Sequence, residues 1–187
     1  MPNGFSPLET RTANAPEQRP TFPEKTRARG MRSNPTFEVT VLARGLQNPR
    51  AVEPLPNGDL PITEKPGTLR IASAAGQVEG PITGVPAVYA AGQAGLFDVA
   101  LSPTFGTDQT IYWSFSEPRR ATGNATSVAK GVLSADRRSL CQMRVSFRAL
   151  PAYNGDKHYG SRRTFGPDGL LFLSLDERSD LKIRPQG

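Results

Sequence analysis

The stretch LPNGDLPITE at residues 55–64 recurs in altered form at residues 166–175, where the sequence reads GPDGLLFLSL. A third variant is split into LSPTFG at 101–106 and IYWSF at 111–115. In each variant a turn that contains proline leads into a short strand. The prolines of the three turns are 47 and 64 residues apart, and the blades of a β-propeller repeat at about 40–50 residues. The repeat therefore favours a fold built from successive small sheets.

The rest of the ordered chain continues this pattern of short strands and turns. Residues 37–43, FEVTVLA, alternate with period two and are predicted to form the first strand. No helix is predicted. The other predicted strands lie at 62–64, 69–71, 99–101, 110–115, 128–133, 144–148 and 170–175.

The length of the chain limits how much of such a fold it contains. Residues 1–35 are rich in Pro, Arg, Thr and Asn without periodicity, and they are predicted to form a disordered or extended tail. The remainder, residues 36–187, holds about three four-stranded blades, whereas propellers close with about 4–8 blades. The sequence thus predicts an all-β fold, an incomplete β-propeller of about three blades that is truncated at its C-terminus.

Composition and charge exclude several classes of function. The net charge is +6 and the pI is about 9.9, but the cationic residues form no single stripe with interleaved aromatic residues, so nucleic-acid binding is not expected. Cys141 is the only cysteine, which rules out an intramolecular disulfide and a multi-cysteine metal site. No apolar run approaches the ~18 residues of a membrane span, and no signal peptide is visible.

Two segments carry the candidate site residues. His158 is the only histidine and lies in the polar loop NGDKHYGSR at 154–162. A histidine of ordinary pKa suits proton abstraction at neutral pH, although a lone histidine is also often structural or merely exposed. Gln93 lies in GQAGLFDV at 92–99, where flanking glycines permit either close approach to a ligand or a simple connection between blades. From the residues alone, both alternatives stay open at both positions.

No metal site is expected within this chain. Its acidic residues near His158 stand on loops without the spacing of an EF-hand. The sequence also contains neither a P-loop nor a G-x-S-x-G motif.

Both segments resemble motifs of one enzyme family. Residues 92–99 are similar to the run G-Q-G-G-L-L-D-V of the PQQ-dependent soluble aldose sugar dehydrogenases, the glucose/sorbosone dehydrogenase family. Residues 154–169 resemble that family's H-[FY]-G-S-R…F-x-P-D-G. The resemblance covers about residues 37–185, in the family's order. Further matches are LQNP at 46–49, TEKPGTLRI at 63–71 and the pair Glu177-Arg178.

The resemblance implies a six-bladed propeller with PQQ bound on its axis, often with Ca²⁺. By resemblance, His158 is the general base that accepts the proton of a sugar's C1 hydroxyl while a hydride passes to PQQ, and Gln93 contacts PQQ. The implied partners are an aldose sugar substrate and an artificial or membrane-linked electron acceptor, and the implied compartment is the periplasm. The family's calcium ligands lie on later blades, beyond Gly187, so the chain alone is expected to be inactive.

The sequence departs from the family pattern at several positions. Arg50 replaces a tryptophan, Ala94 a glycine, Arg163 an apolar residue and Asp176 a glycine, and Pro61 lies inside a predicted strand. Two alternatives to an enzyme therefore stand. The chain is a truncated, catalytically inert remnant, or it is a non-enzymatic propeller that serves as a binding module.

Overall fold

The structure, a computed structural model, divides into two units, Met1–Thr40 and Val41–Gly187. Most of the predicted tail lies outside the described residues. Every strand and helix that the structure describes belongs to the second unit. The described stretches are 11–12, 15–19, 21–22, 34–120 and 123–179.

The second unit is almost entirely β-structure. In chain order, its elements are β1 (Pro49–Val52), β2 (Leu60–Glu64), β3 (Thr68–Ala72), β4 (Leu96–Leu101), α1 (Phe105–Asp108), β5 (Thr110–Arg119), β6 (Gly123–Leu133), β7 (Leu140–Arg148), β8 (Arg163–Phe165) and β9 (Leu171–Leu173).

These strands form three antiparallel sheets in which neighbours in sequence are neighbours in space. The orders are β1-β2-β3, β4-β5-β6-β7 and β8-β9. Strand β4 contacts β1 and β2 of the first sheet and β8 of the third, so the first strand of the second sheet lies next to both other sheets. The predicted series of small sheets is confirmed, with one complete four-stranded sheet among the described residues.

The repeated turn owes its shape to local hydrogen bonds. In the first turn, the Leu55 amide donates to the Asp59 carbonyl (2.7 Å), and the Gly58 amide donates to the Leu55 carbonyl (2.9 Å). Residues 166–170 make the same two bonds, at 2.9 Å each. The side chain of Asn57 accepts a hydrogen bond from the Asp59 amide, and that of Asp168 accepts one from the Leu170 amide. The fourth residue is a glycine of positive φ in both, a conformation that glycine adopts without steric cost.

The third variant is the same turn with an insertion. The Phe105 amide donates to the Ser102 carbonyl (2.9 Å), which again joins the fourth residue of the turn to the first. The Ser102 amide donates to the carbonyl of Thr110 (2.9 Å) instead of to the next residue. The short helix α1 fills the space between them. The repeat read from the sequence thus corresponds to a shared turn geometry.

The strand predicted at residues 37–43 is wrong. Residues 37–43 form no strand in the structure, and the side chains of Phe37 and Val39 are 81% and 78% exposed. Alternation creates an apolar face, but a strand also needs a neighbour for its backbone groups. Strands β1 and β8, of four and three residues, were not predicted.

Pro61 is accommodated inside the central strand β2 of the first sheet. Its carbonyl accepts a hydrogen bond from the Glu53 amide (3.1 Å), just after β1 ends at Val52. Because N–H and C=O of one strand residue point to the same side, the donor that proline lacks would face this end of β1. The missing amide therefore removes only one hydrogen bond, at the end of the pairing between β1 and β2.

The main core lies between the first two sheets. Trp113 and Phe115 of β5 are almost completely buried against residues of both sheets. Two hydrogen bonds also join the sheets, from the Leu96 amide to the Lys65 carbonyl (3.1 Å) and from the Thr63 hydroxyl to the Phe97 carbonyl. The strand that begins the second sheet is therefore held firmly in place.

Candidate functional site

The two predicted site residues occupy equivalent positions in successive sheets. Gln93 lies three residues before β4 begins, and His158 lies five residues before β8 begins. Because β4 and β8 are adjacent first strands, the loops that lead into them meet at one end of the sheets. The Arg163 amide donates to the Asp98 carboxylate (2.9 Å) and links the two strands directly.

The structure brings Gln93 and His158 into direct contact. The His158 amide donates to Oε1 of Gln93 (2.9 Å), and the Gln93 amide donates to the Asp156 carbonyl (2.8 Å). Nη2 of Arg50 donates to the Gln93 carbonyl (3.1 Å). The exposed Gln93 thus holds the histidine loop through its side chain and its backbone.

The imidazole of His158 is oriented by an acidic partner. Its Nδ1 lies 2.8 Å from Oε1 of Glu177, and the side chains are 40% and 12% exposed respectively. Hydrogen bonding to Asp176 and to His158 lowers the pKa of Glu177 to about 2. The carboxylate is therefore charged at neutral pH and favours a proton on the ring atom that faces it. From the sequence, Glu177 was part of a family match and one of several acidic loop residues, but its contact with His158 was not predicted.

Arg178 fixes the position of Glu177. Its side chain, in a residue only 8% exposed, donates to the carbonyls of Lys157 (3.0 Å) and Gly155 (2.9 Å). It also donates to Oδ1 of Asn124 (2.9 Å) on β6. Burial lowers the pKa of Arg178. The loop after β9 is thereby attached to the loop that carries His158, a connection that no sequence signal located.

An apolar layer lies beneath the site. The rings of Phe97 and Tyr159 are 5.1 Å apart, and Ala94 is buried with them. Burial raises the pKa of Tyr159 to about 12, so its hydroxyl stays protonated and donates to Asn124 (2.6 Å) and Gly155 (3.1 Å). The alanine that replaces the family's glycine therefore contributes its methyl group to packing.

Gly92 is required by close packing next to Gln93. Its φ is +52°, and a Cβ built there would lie 2.1 Å from Oδ2 of Asp156. A side chain would collide with the loop before His158. The glycine therefore lets the two site loops approach each other.

A cavity of about 200 Å³ opens beside these loops. Arg50 and Arg162 place two guanidinium groups on it, and Phe97 adds an aromatic ring. Arg162 is 84% exposed and only loosely paired with Asp98, at 3.6 Å. The lining thus combines two guanidinium groups with the carboxylate of Asp98. The ring of Phe97 is buried, and the guanidinium carbon of Arg50 lies 5.9 Å from its centroid. The guanidinium groups suit a ligand that carries carboxylates.

Arg163, which replaces an apolar residue of the family pattern, is buried. Burial lowers its pKa to about 10. Burial and the charge of Asp98 raise the pKa of Glu53, while Arg162 and Arg163 oppose that rise. The three side-chain nitrogens of Arg163 are buried without a hydrogen-bond partner among the described residues, so only the nearby carboxylates of Asp98 and Glu53 offset its charge.

Successive antiparallel sheets with a polar site on the loops before their first strands define an arc of a β-propeller. The sequence profile of the family described as Glucose / Sorbosone dehydrogenase matches residues 46–187, and the chain belongs to this family.

Individual relatives agree with this assignment. The chain is 37% identical over 145 residues to the aldose sugar dehydrogenase YliI of Escherichia coli K12, which covers 77% of this chain and 39% of that protein. The chain thus spans about two fifths of the length of this relative.

Solved structures show the same fold. The soluble aldose sugar dehydrogenase of Escherichia coli in its apo form has a TM-score of 0.70 at 37% identity, over 75% of this chain and 41% of that chain. The PQQ-bound aldose sugar dehydrogenase of Streptomyces coelicolor has a TM-score of 0.66 at 28% identity, over 77% and 42%. The expected partial propeller is confirmed. Among the described residues, no helix is both long and apolar enough to cross a membrane.

Proposed function

We propose that the chain is the N-terminal part of a PQQ-dependent oxidoreductase that oxidises the C1 hydroxyl of aldose sugars. The observation that carries this proposal is the position of His158, held by Gln93 through its backbone and by Glu177 through its ring. The names of the Escherichia coli and Streptomyces coelicolor relatives support the substrate class and the cofactor.

The residues present fit one flank of PQQ. Arg50 and Arg162 offer guanidinium groups suited to its carboxylates, on a cavity that Asp98 also lines. Gln93 is exposed beside them, in keeping with its predicted contact to the cofactor. When bound, PQQ supplies a quinone that takes up the hydride from the substrate carbon.

His158 acts in this proposal as the general base. Because Nδ1 faces Glu177, a proton on Nδ1 is donated to that carboxylate and Nε2 remains free to accept one. The proton of the C1 hydroxyl passes to Nε2 and gives an imidazolium. The charged Glu177 stabilises this imidazolium and keeps the ring in one orientation.

Other features implied by the resemblance remain proposals. They are the tail at residues 1–35 with a partial propeller at 36–187, Ca²⁺ bound outside these residues, the electron acceptor and the periplasmic compartment. The 187 residues span about two fifths of the length of the Escherichia coli relative. We therefore propose that the chain is inactive unless the later blades are supplied.

The test uses a version extended beyond Gly187 by the remainder of the Escherichia coli relative, loaded with PQQ and Ca²⁺. We expect dye reduction with glucose for the extended version and none for the 187-residue chain. His158→Gln should lower the rate by about 10²-fold or more, since a general base contributes about 10²–10⁴-fold. Lys157→Gln, in the same loop, is the matched control and should retain the rate.

Two results would overturn the enzymatic proposal. One is an extended version that binds PQQ but reduces no dye, which favours an inert remnant. The other is full activity of His158→Gln. A protein partner that is captured equally by the wild type and by His158→Ala would instead support a binding module.

A further inference from the structure

A third donor side chain stands beside the pair formed by His158 and Glu177. One ligand atom from each of His158, Asp176 and Glu177 lies within 4.8 Å of the others. We propose that these three residues form a binding site for a divalent transition-metal ion, with Zn²⁺ as its representative. This site goes beyond the proposed function, because metal binding requires neither PQQ nor a sugar.

The donor set selects the class of metal. An imidazole nitrogen with two carboxylate oxygens is a combination that Zn²⁺ and its first-row neighbours accept, and three protein ligands leave a position for water. Ca²⁺ and Mg²⁺ prefer shells made of oxygen alone. The histidine therefore favours Zn²⁺ over the alkaline-earth ions.

The ligands are already positioned before a metal arrives. Oδ1 of Asp176 accepts a hydrogen bond from the Glu177 amide (2.9 Å), which orients the carboxylate and leaves its second oxygen for coordination. Arg178 attaches this loop to the carbonyls of Lys157 and Gly155, next to His158. Both loops are thus held together, and little ordering is needed when the ion binds.

Charge and access also favour a cation. Asp176 and Glu177 bring two carboxylates close to the imidazole of His158, and a bound dication would be attracted to both. Asp176 is exposed, while His158 and Glu177 are half-buried, so an ion can enter from solvent.

Asp176 distinguishes this chain from the family pattern, in which the resemblance places a glycine. The third ligand is therefore a property of this sequence, and its removal tests the site specifically. No metal site was expected from the sequence, because the acidic residues lack the spacing of an EF-hand and a single cysteine cannot form a multi-cysteine site. Ligands from two separate loops do not produce such a spacing.

The experiment titrates the chain, free of any histidine tag, with ZnCl₂ by calorimetry. Cys141 is exposed and could bind zinc by itself, so every protein carries Cys141→Ser. NMR of the imidazole follows the same titration, because the chain has a single histidine. We expect one Zn²⁺ per chain and a shift of the His158 ring signals, with no such shift when CaCl₂ is added.

Matched variants identify the ligands. Asp176→Asn and Glu177→Gln should each weaken Zn²⁺ binding by about tenfold or more. Asp168→Asn removes an exposed carboxylate from a turn outside the cluster and should bind as the parent does. Circular dichroism shows whether each variant is folded, and the ring signals report on the site in folded protein.

Several outcomes would overturn the proposal. They are unchanged His158 ring signals at saturating Zn²⁺, parent-like affinity in Asp176→Asn, or an equal loss in Asp168→Asn. None of them bears on the PQQ-dependent activity, so failure of the metal site and failure of the proposed function are distinguishable.

Discussion

The guanidinium carbon of Arg178 lies over the ring of Tyr159, 3.9 Å from the ring centroid. This cation–π contact joins the loop after β9 to the residue that follows His158. Both partners also bond to Oδ1 of Asn124, on β6. The candidate site is therefore supported by one shared set of buried polar groups.

Replacing Arg178 should destabilise the second unit. Arg178→Met would leave the carbonyls of Lys157 and Gly155 and the side chain of Asn124 without this donor. We expect the free energy of unfolding in urea to fall by about 2–3 kcal/mol, because bonds to a charged, buried donor are lost. Arg162→Met removes an exposed guanidinium and should change that energy by less than about 0.5 kcal/mol. Equal effects of the two substitutions would contradict the anchoring role.

Gln93 should control the local stability of the histidine loop. Gln93→Leu removes the oxygen that accepts the His158 amide (2.9 Å). We expect hydrogen exchange at this amide to accelerate about tenfold, which corresponds to about 1.4 kcal/mol. Gln93→Glu keeps an acceptor at the same place and should preserve the slow exchange. If Gln93→Glu exchanges as fast as Gln93→Leu, the bond does not govern the loop.

Glu117 should make the free energy of unfolding depend on pH. Burial alone would raise its pKa, but hydrogen bonds from Arg148 and Ser127 and the charge of Arg119 outweigh burial and lower it below the ordinary 4.5. A lowered folded-state pKa contributes stability that is complete above pH 4.5 and is lost as pH falls through the folded value.

The variant Glu117→Gln tests this dependence. Its free energy of unfolding should fall below that of the wild type at neutral pH, and the difference should shrink as the solution is acidified. Arg148→Gln removes one donor to the same carboxylate. It should lower, but not abolish, the pH-dependent component of the free energy of unfolding. A difference that stays constant with pH would show that Glu117 is not responsible.

Tyr159 should ionise later than an ordinary tyrosine. Burial raises the pKa of its hydroxyl from 10.0 to about 12. The neutral phenol therefore contributes stability that is complete below pH 10 and is lost as pH rises toward the folded value. Of the four tyrosines, one should titrate near pH 12 by ultraviolet absorbance, and Tyr159→Phe should remove that step. A late step that survives the substitution would assign it to another tyrosine.

The outcome for the strands shows what local sequence reasoning can achieve. Residues 55–64 and 166–175 were recognised as one repeated turn because its hydrogen bonds lie within five residues. The strand predicted at 37–43 failed because period-two alternation is compatible with a strand but does not supply a neighbour for it. Strand β8 was missed because its three residues, RTF, show no period, whereas the equally short β9 follows the repeated turn.

The sequence by itself determined the turns, the order of small sheets and the two loops that carry Gln93 and His158, because these features depend on neighbouring residues and on recognisable motifs. Only the tertiary structure decided that Glu177 faces the imidazole and that Arg178 reaches Asn124, 54 residues away. The physical reason is that such pairs form when separate sheets pack, and the orientation of one sheet on another is set by the whole core rather than by any local pattern.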